Sequence, residues 1–232
     1  MLSPQTWTDL TEDAALQHIL AGGSICVNGQ AGTGKSHFIT NALRELEVGG
    51  RKVARTAKTH AASALINGRA LDSFMRSSVQ KGYVSVDTLW IDEYSLIDAS
   101  QWCHLCTLLY NPVAVQVVLS GDWNQLAPVD SRYKGTAILR QTVQNSWLFW
   151  KLCGGTRLTL TECRRSASEG ELFMFYSSLA EGGSREHTQL EACISEAMTL
   201  FPVRTQADYY LCVLHAKRKA INRRLMNTLR PK

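Results

Sequence analysis

The chain has 232 residues, 45% of them hydrophobic and 19% charged, with a formal net charge of +5. That balance belongs to a globular protein rather than a disordered one, and the length allows one large core or two smaller ones. No apolar run approaches a membrane span, and the N-terminus has no basic, apolar, small-residue signal pattern, so neither a membrane-embedded nor a secreted role is expected.

A helix is expected near 10–20 and a short buried strand near 24–28, carried by Ile25, Cys26 and Val27. That strand runs into Gly29-Gln30-Ala31-Gly32-Thr33-Gly34-Lys35-Ser36, which fits the phosphate-binding pattern G-x-x-x-x-G-K-[ST] at every defined position. A helix near 35–47 follows. Strand, glycine loop and helix together place an anion site at a helix N-terminus. The glycines let the backbone of Gly29, Ala31, Gly32, Thr33 and Gly34 curl so that successive N–H groups point at phosphate oxygens. Lys35 would neutralise the β- and γ-phosphates, and Ser36 would hold Mg²⁺.

A strand near 52–57 and a helix near 60–67 come next. The strand near 88–92, Thr88-Leu89-Trp90-Ile91-Asp92, ends in Asp92-Glu93. Asp92 would bind Mg²⁺ directly or through water, and Glu93 would polarise an attacking water. The helix near 98–109 contains Cys103-x-x-Cys106, which reads as two buried thiols at i, i+3 rather than as half a zinc site. Seven cysteines, without the spacing of a disulfide framework, point to a reducing intracellular compartment. The apolar strand near 114–120 leads into Gly121-Asp122-Trp123-Asn124-Gln125-Leu126-Ala127-Pro128-Val129. The Gln125 amide is placed to contact the γ-phosphate and report its presence. A helix near 144–152, a strand near 157–161, helices near 169–181 and 187–198, a strand near 208–214 and a helix near 215–229 complete the pattern. Alternating helices and nearly continuous apolar strands predict a parallel sheet covered on both faces, with function at the carboxyl ends of its strands. Glu181-Gly182-Gly183-Ser184 is the expected boundary, dividing the chain into 1–184 and 185–232.

Three of these segments, Gly-Gln-Ala-Gly-Thr-Gly-Lys-Ser, Ile-Asp-Glu-Tyr-Ser-Leu-Ile and Gly-Asp-Trp-Asn-Gln-Leu-Ala-Pro-Val, resemble motifs I, II and III of superfamily-one helicases in that order. The branch they resemble contains RecD and the Pif-one-like DNA helicases. Its motif III reads Gly-Asp-x-x-Gln-Leu-Pro-Pro-Val, and Ala127 stands where the first of those prolines usually does. Thr56-Ala57-Lys58-Thr59-His60-Ala61-Ala62 with Ile66-Asn67-Gly68 resembles motif Ia, which contacts single-stranded DNA in the family. The resemblance therefore implies Thr56, Lys58, Thr59 and His60 as strand contacts, small and hydroxyl residues permitting close approach to phosphates. The next family element usually contains Thr-x-His-Ser. Here it reads Ala70-Leu71-Asp72-Ser73, so Ser73 aligns while Asp72 replaces a residue that usually faces the strand. Leu160-Thr161-Glu162-Cys163-Arg164-Arg165-Ser166 resembles motif IV. Its γ-phosphate arginine aligns best with Arg165, Arg164 being the other candidate, and would stabilise charge on the transferring phosphoryl group. A family glutamine upstream of the phosphate loop recognises adenine, for which Gln5 is the first candidate and Gln17 the second. Tyr210 to Asn222 resembles the start of a second RecA-like domain.

The resemblance implies an α/β fold: a RecA-like P-loop NTPase domain, mostly parallel sheet with helices on both faces, plus the start of a second RecA-like domain. It implies ATP and Mg²⁺ as cofactors, hydrolysis of helicase type, and single-stranded DNA as partner. RNA is a variant, because phosphate contacts do not identify the sugar. Motifs V and VI have no match before Lys232, so the expectation is one motor lobe whose remaining helicase domain acts in cis or in trans, and which does not unwind duplexes alone. The last 16 residues hold seven basic groups and no acid, which either touch nucleic acid or form a solvated helix face. Two other classes compete. A small-molecule or nucleotide kinase shares the phosphate loop but leaves Gly-Asp-x-x-Gln-Leu unexplained. A non-catalytic ATP-dependent binding module is opposed by the intact Lys35, Asp92, Glu93 and Gln125.

Overall fold

A computed structural model describes residues 5–82, 84–111, 113–125, 128, 131–133, 135–164, 170–181, 187–202 and 215–229. The chain divides by contact into two units, 1–181 and 182–232.

The first unit opens on a three-residue strand, β1 (Thr8–Leu10), followed by helix α1 (Glu12–Leu20). The helix expected from residue 10 starts later because Thr11 caps it, the Thr11 hydroxyl accepting the Ala14 N–H at 3.3 Å. Strand β2 (Ile25–Gly29) and helix α2 (Lys35–Val48) flank the glycine loop. Gly34 caps α2 at φ 91°, left-handed backbone that glycine adopts without steric cost. Strand β3 (Val53–Ala57), helix α3 (His60–Leu65), strand β4 (Arg69–Ala70) and helix α4 (Leu71–Ser77) follow. The helix expected over 60–67 ends early. Asn67 turns through left-handed backbone at φ 50°, and Gly68 passes so close to β3 that a Cβ there would lie 2.5 Å from the Arg55 carbonyl oxygen.

Strand β5 (Thr88–Asp92) leads to helix α5 (Ala99–Leu105) and strand β6 (Gln116–Gly121). Asp98 and Gln101 form a full capping box on α5, and the chain tightens to a 3₁₀ turn over Cys106–Tyr110 where the longer helix was expected. An antiparallel hairpin, β7 (Arg132–Tyr133) with β8 (Thr136–Ala137), precedes helices α6 (Arg140–Gln144) and α7 (Trp147–Leu152). Strand β9 (Thr156–Leu160) and helix α8 (Glu171–Glu181) complete the unit. In the second unit the described elements are helices α9 (His187–Leu200) and α10 (His215–Leu229). The strand expected near 208–214 lies outside the described residues.

Among the described residues, seven strands form one sheet in the order β1-β9-β2-β6-β5-β3-β4, and every neighbouring pair is parallel. This is the expected α/β architecture. Side chains alternate between two cores as the pleat requires. Leu89 and Ile91 of β5 and Val117 and Leu119 of β6 enter one core with Phe74, Trp102 and Phe149. Trp90 and Val118, between them in sequence, enter the other with Ile25, Val27, Ile39 and Leu43. Burial on both faces explains the unbroken apolar runs, since neither face of these strands meets water. Because the strands are parallel, Gly29, Asp92 and Gly121 all end theirs at the same edge of the sheet, where a crevice forms.

Candidate nucleotide-binding site

A cavity of about 700 Å³ opens at that edge, lined by Ala31, Gly32, Gly34, Lys35, Ser36, His37, Asp92, Glu93, Gly121, Gln125 and Arg164. The structure thus gathers all three motifs into one place. Gly29 has no room for a side chain: a Cβ would lie 2.6 Å from Thr33 Oγ1 and 2.7 Å from the Leu160 carbonyl oxygen. Thr33 is fully buried and its hydroxyl donates to the Gln30 carbonyl at 2.9 Å, closing the loop on itself. Lys35 Nζ donates to the Gly29 and Gln30 carbonyls at 2.6 and 2.9 Å.

Ser36 Oγ donates to Asp92 Oδ2 at 3.3 Å, so two hard oxygens stand side by side in the cavity wall. The other carboxylate oxygen, Oδ1, accepts from Ser120 Oγ at 2.5 Å and from the Glu93 N–H at 3.1 Å. Ser120 in turn accepts from Trp90 Nε1 at 2.7 Å. This buried relay fixes which way Asp92 points. An oxygen-only donor pair held by hydrogen bonds fits Mg²⁺, and a loop that a single Cβ would fill fits a phosphate chain. Ser120 was not singled out by motif; its signal was only its place on β6 beside β5. Ser120→Ala leaves the Trp90 N–H without its partner and Asp92 less constrained. It is expected to lower the melting stability by about 1–3 kcal/mol and to weaken Mg²⁺ dependence of nucleotide binding about tenfold or more, read by thermal melting and by metal titration.

Glu93 adopts left-handed backbone, φ 56° and ψ 49°, unusual for a residue with a side chain and often found where function demands it. Burial, then the charge of Asp92, pushes its carboxyl above the usual range, with Lys35 opposing. The Asp122–Gln125 turn closes through the Gln125 N–H on the Asp122 carbonyl at 3.1 Å and the Asn124 N–H on Asp122 Oδ1 at 2.9 Å. Trp123 anchors that turn, its ring 4.7 Å from Tyr94 and 5.3 Å from Phe149. Tyr94 donates its hydroxyl to Asn28 at the end of β2, tying motif II to the phosphate-loop strand. Neither contact was visible in the sequence.

Arg165 lies outside the described residues. Arg164, the other candidate, lines the cavity; its N–H donates to the Gly32 carbonyl at 2.8 Å and its guanidinium pairs with Glu12. Gln5 is a correction. It precedes β1, whose partner strand starts near Gly155, and so sits at the amino end of the sheet, opposite the cavity. Gln17 lies exposed on α1.

Thr56 is a second correction. It is fully buried, its hydroxyl donating to the Trp90 carbonyl at 2.9 Å across the sheet, and no strand can reach it. Thr59 is exposed and caps α3, accepting the Ala62 N–H at 3.1 Å; His60 and Ser73 are exposed on α3 and α4. Lys58 Nζ sits 3.3 Å from Asp98 and 3.7 Å from Asp72. Gln101 of the α5 capping box donates its side-chain amide to Asp72. The acid that departs from the family pattern thus draws on the one cation of motif Ia.

Residues 11–190 match the AAA domain family. The human ATP-dependent DNA helicase PIF1 is 30% identical over 72% of this chain and 29% of its own length. The chain thus spans under a third of the curated relatives it matches. The crystal structure of Pif1 helicase from Candida albicans superposes with a TM-score of 0.74 at 21% identity, covering 96% of this chain and 56% of that one. Bacteroides Pif1 bound to single-stranded DNA gives 0.63 at 19% identity, covering 97% and 57%. These structures share the fold, a RecA-like P-loop domain. With this motif order, cavity and sheet, the chain belongs to the AAA domain family.

Proposed function

We propose that this chain is the ATP-hydrolysing motor domain of a DNA helicase, coupling hydrolysis of Mg²⁺-ATP to movement on single-stranded DNA. The observation that carries the reading is the convergence of Lys35, Ser36, Asp92, Glu93 and Gln125 on one cavity at the carboxyl edge of a parallel sheet. The phosphate loop and Lys35 hold the β- and γ-phosphates. Ser36 and Asp92 hold the metal, whose charge, when bound, offsets that developing on the phosphates. Glu93 takes the proton of an attacking water, and Gln125 contacts the γ-phosphate. An arginine from the segment after β9, Arg165 or Arg164, stabilises the transferring group. The strand surface is formed by Lys58, Thr59, His60 and Ser73. The likeness to a Pif1 solved with single-stranded DNA supports that partner. The boundary near residue 182 supports a division into this lobe and the start of a second.

The test is ATP hydrolysis with and without single-stranded DNA or RNA of the same sequence. Hydrolysis above the Lys35→Ala background, raised by DNA, is expected; none above background overturns the motor reading. A second reading, an ATP-dependent binding module without turnover, is favoured by one observation: Glu12 holds the Arg164 guanidinium. It predicts nucleotide binding with no hydrolysis under either condition.

Lys58 yields a separate expectation. Asp72→Asn removes the more distant of its two carboxylate partners, leaving Asp98 at 3.3 Å, and so lowers the negative charge that competes with a phosphate for the ammonium. Binding to a single-stranded oligonucleotide should tighten several-fold. The slope of log affinity against log salt should steepen by about 0.7, the increment of one added phosphate contact. Fluorescence anisotropy across a salt series measures both.

A further inference from the structure

A trans peptide carries its C=O and its following N–H on opposite sides. Whatever holds a carbonyl outward therefore turns the next amide inward. Carbonyls 29 to 32 of the phosphate loop are all held. Gly29 and Gln30 accept from Lys35, and Gln30 also from Thr33. Gly32 accepts the Arg164 N–H at 2.8 Å. Ala31 accepts the Tyr176 hydroxyl at 3.0 Å, and beside it Ser177 Oγ donates to the Gln30 side-chain carbonyl at 2.8 Å. These two donors lie 145 and 147 positions along the chain from their acceptors. Both stand on α8, as does Phe173, whose ring packs edge-on against Tyr176 at 5.1 Å. Spacings of three and four put all three on one helix face. When Lys35 turns to a phosphate it leaves the carbonyls it holds here, and the holds remaining on Ala31 and Gly32 come from α8 and from the Arg164 backbone.

We propose that Tyr176, seconded by Ser177, is a positioning residue for the phosphate loop. It fixes the Ala31–Gly32 peptide so that the Gly32 N–H faces the bound anion, and it couples α8 to occupancy of the loop. The proposal rests on the nucleotide-binding reading above. Coupling is reciprocal: if an ordered α8 favours the anion-binding loop, a bound anion must tighten α8.

The experiment uses the full chain, N-methylanthraniloyl-ADP with Mg²⁺ as the probe, and hydrogen exchange over residues 171–181. Tyr176→Phe keeps the ring and loses only the hydroxyl. Affinity should fall roughly three- to tenfold, the range for one hydrogen bond. KM for ATP should rise by a similar factor while kcat changes less than twofold. In the wild type, the probe should slow exchange in α8; in Tyr176→Phe that slowing should be lost. Ser177→Ala should weaken binding two- to threefold, and Ser177→Thr, which keeps the hydroxyl, should restore it. Wild-type affinity and wild-type α8 protection in Tyr176→Phe overturn the proposal. If Tyr176→Phe melts too low to assay, equal affinities for Ser177→Ala and Ser177→Thr overturn it instead. A wild-type chain that binds no probe at all overturns the nucleotide reading itself.

Discussion

Glu93→Gln is expected to remove nearly all ATP turnover while leaving nucleotide affinity close to that of the wild type. Asp92 is committed to Ser36, Ser120 and the Glu93 amide, so it cannot serve as the base. Glu93 follows it on left-handed backbone and faces the cavity. Glutamine preserves size and hydrogen bonding but not basicity, and the loss of a general base lowers rates by roughly 10²- to 10⁴-fold. Burial, and then Asp92, raises the carboxyl's pKa. The base acts deprotonated, so the acid limb of the wild-type rate profile should lie above the titration of a free glutamate. The same shift has a sign for stability. The folded state binds this proton more tightly than the unfolded state, so stability falls as pH rises through the interval between the two values. Glu93→Gln lacks that loss and should melt no lower than the wild type at neutral pH. Single-turnover hydrolysis, probe binding and thermal melting read the three effects. Turnover within a few-fold of the wild type would remove Glu93 from its role.

The parts of the site legible in the sequence are those set by local chain geometry. Gly34 must adopt left-handed backbone, Gly29 must lack a Cβ, and Lys35 and Ser36 must open a helix; each requirement fixes a residue type at a fixed spacing. The apolar strands were legible because burial on both faces leaves no polar alternation. β1, β4, α4 and α6 were not, since two to seven residues carry too little periodicity to register. Gln5 and Thr56 failed for different reasons. Chain order alone makes Gln5 a candidate, and only the direction of β1 in the sheet puts it at the end opposite the cavity. The motif reads Thr56 as a strand contact, whereas its place on β3 against β5 turns the hydroxyl inward onto the Trp90 carbonyl. Ser120, Tyr94 with Asn28, and Tyr176 with Ala31 act across the fold, and no spacing rule links residues that only tertiary structure brings together.

Lys35→Ala should produce the largest loss of nucleotide affinity of any single change in this chain. The ammonium is half-buried at the start of α2, where the helix N-terminus already favours negative charge. Among the described residues it is the only lysine lining the cavity, which it shares with Asp92 and Glu93. Removing it leaves those two carboxylates facing the phosphates with less positive charge to offset them. Truncating one member of a partly buried, hydrogen-bonded charge pair costs about 2–4 kcal/mol, or roughly 30- to 1,000-fold in dissociation constant. The fold should tolerate the change. The loop loses the two Lys35 hydrogen bonds to the Gly29 and Gln30 carbonyls, but Gln30's carbonyl keeps the Thr33 hydroxyl, and Gly32 and Ala31 keep Arg164 and Tyr176. Unchanged far-ultraviolet circular dichroism and a melting temperature within a few degrees should accompany the loss of binding. Lys35→Arg separates charge from shape: a planar guanidinium keeps the charge but cannot fit the space of a compact ammonium, and should recover only part of the affinity. Equal affinities for the wild type and Lys35→Ala, measured by probe titration at low salt, would mean that the glycine loop does not hold a phosphate chain, and the motor reading would fall with it.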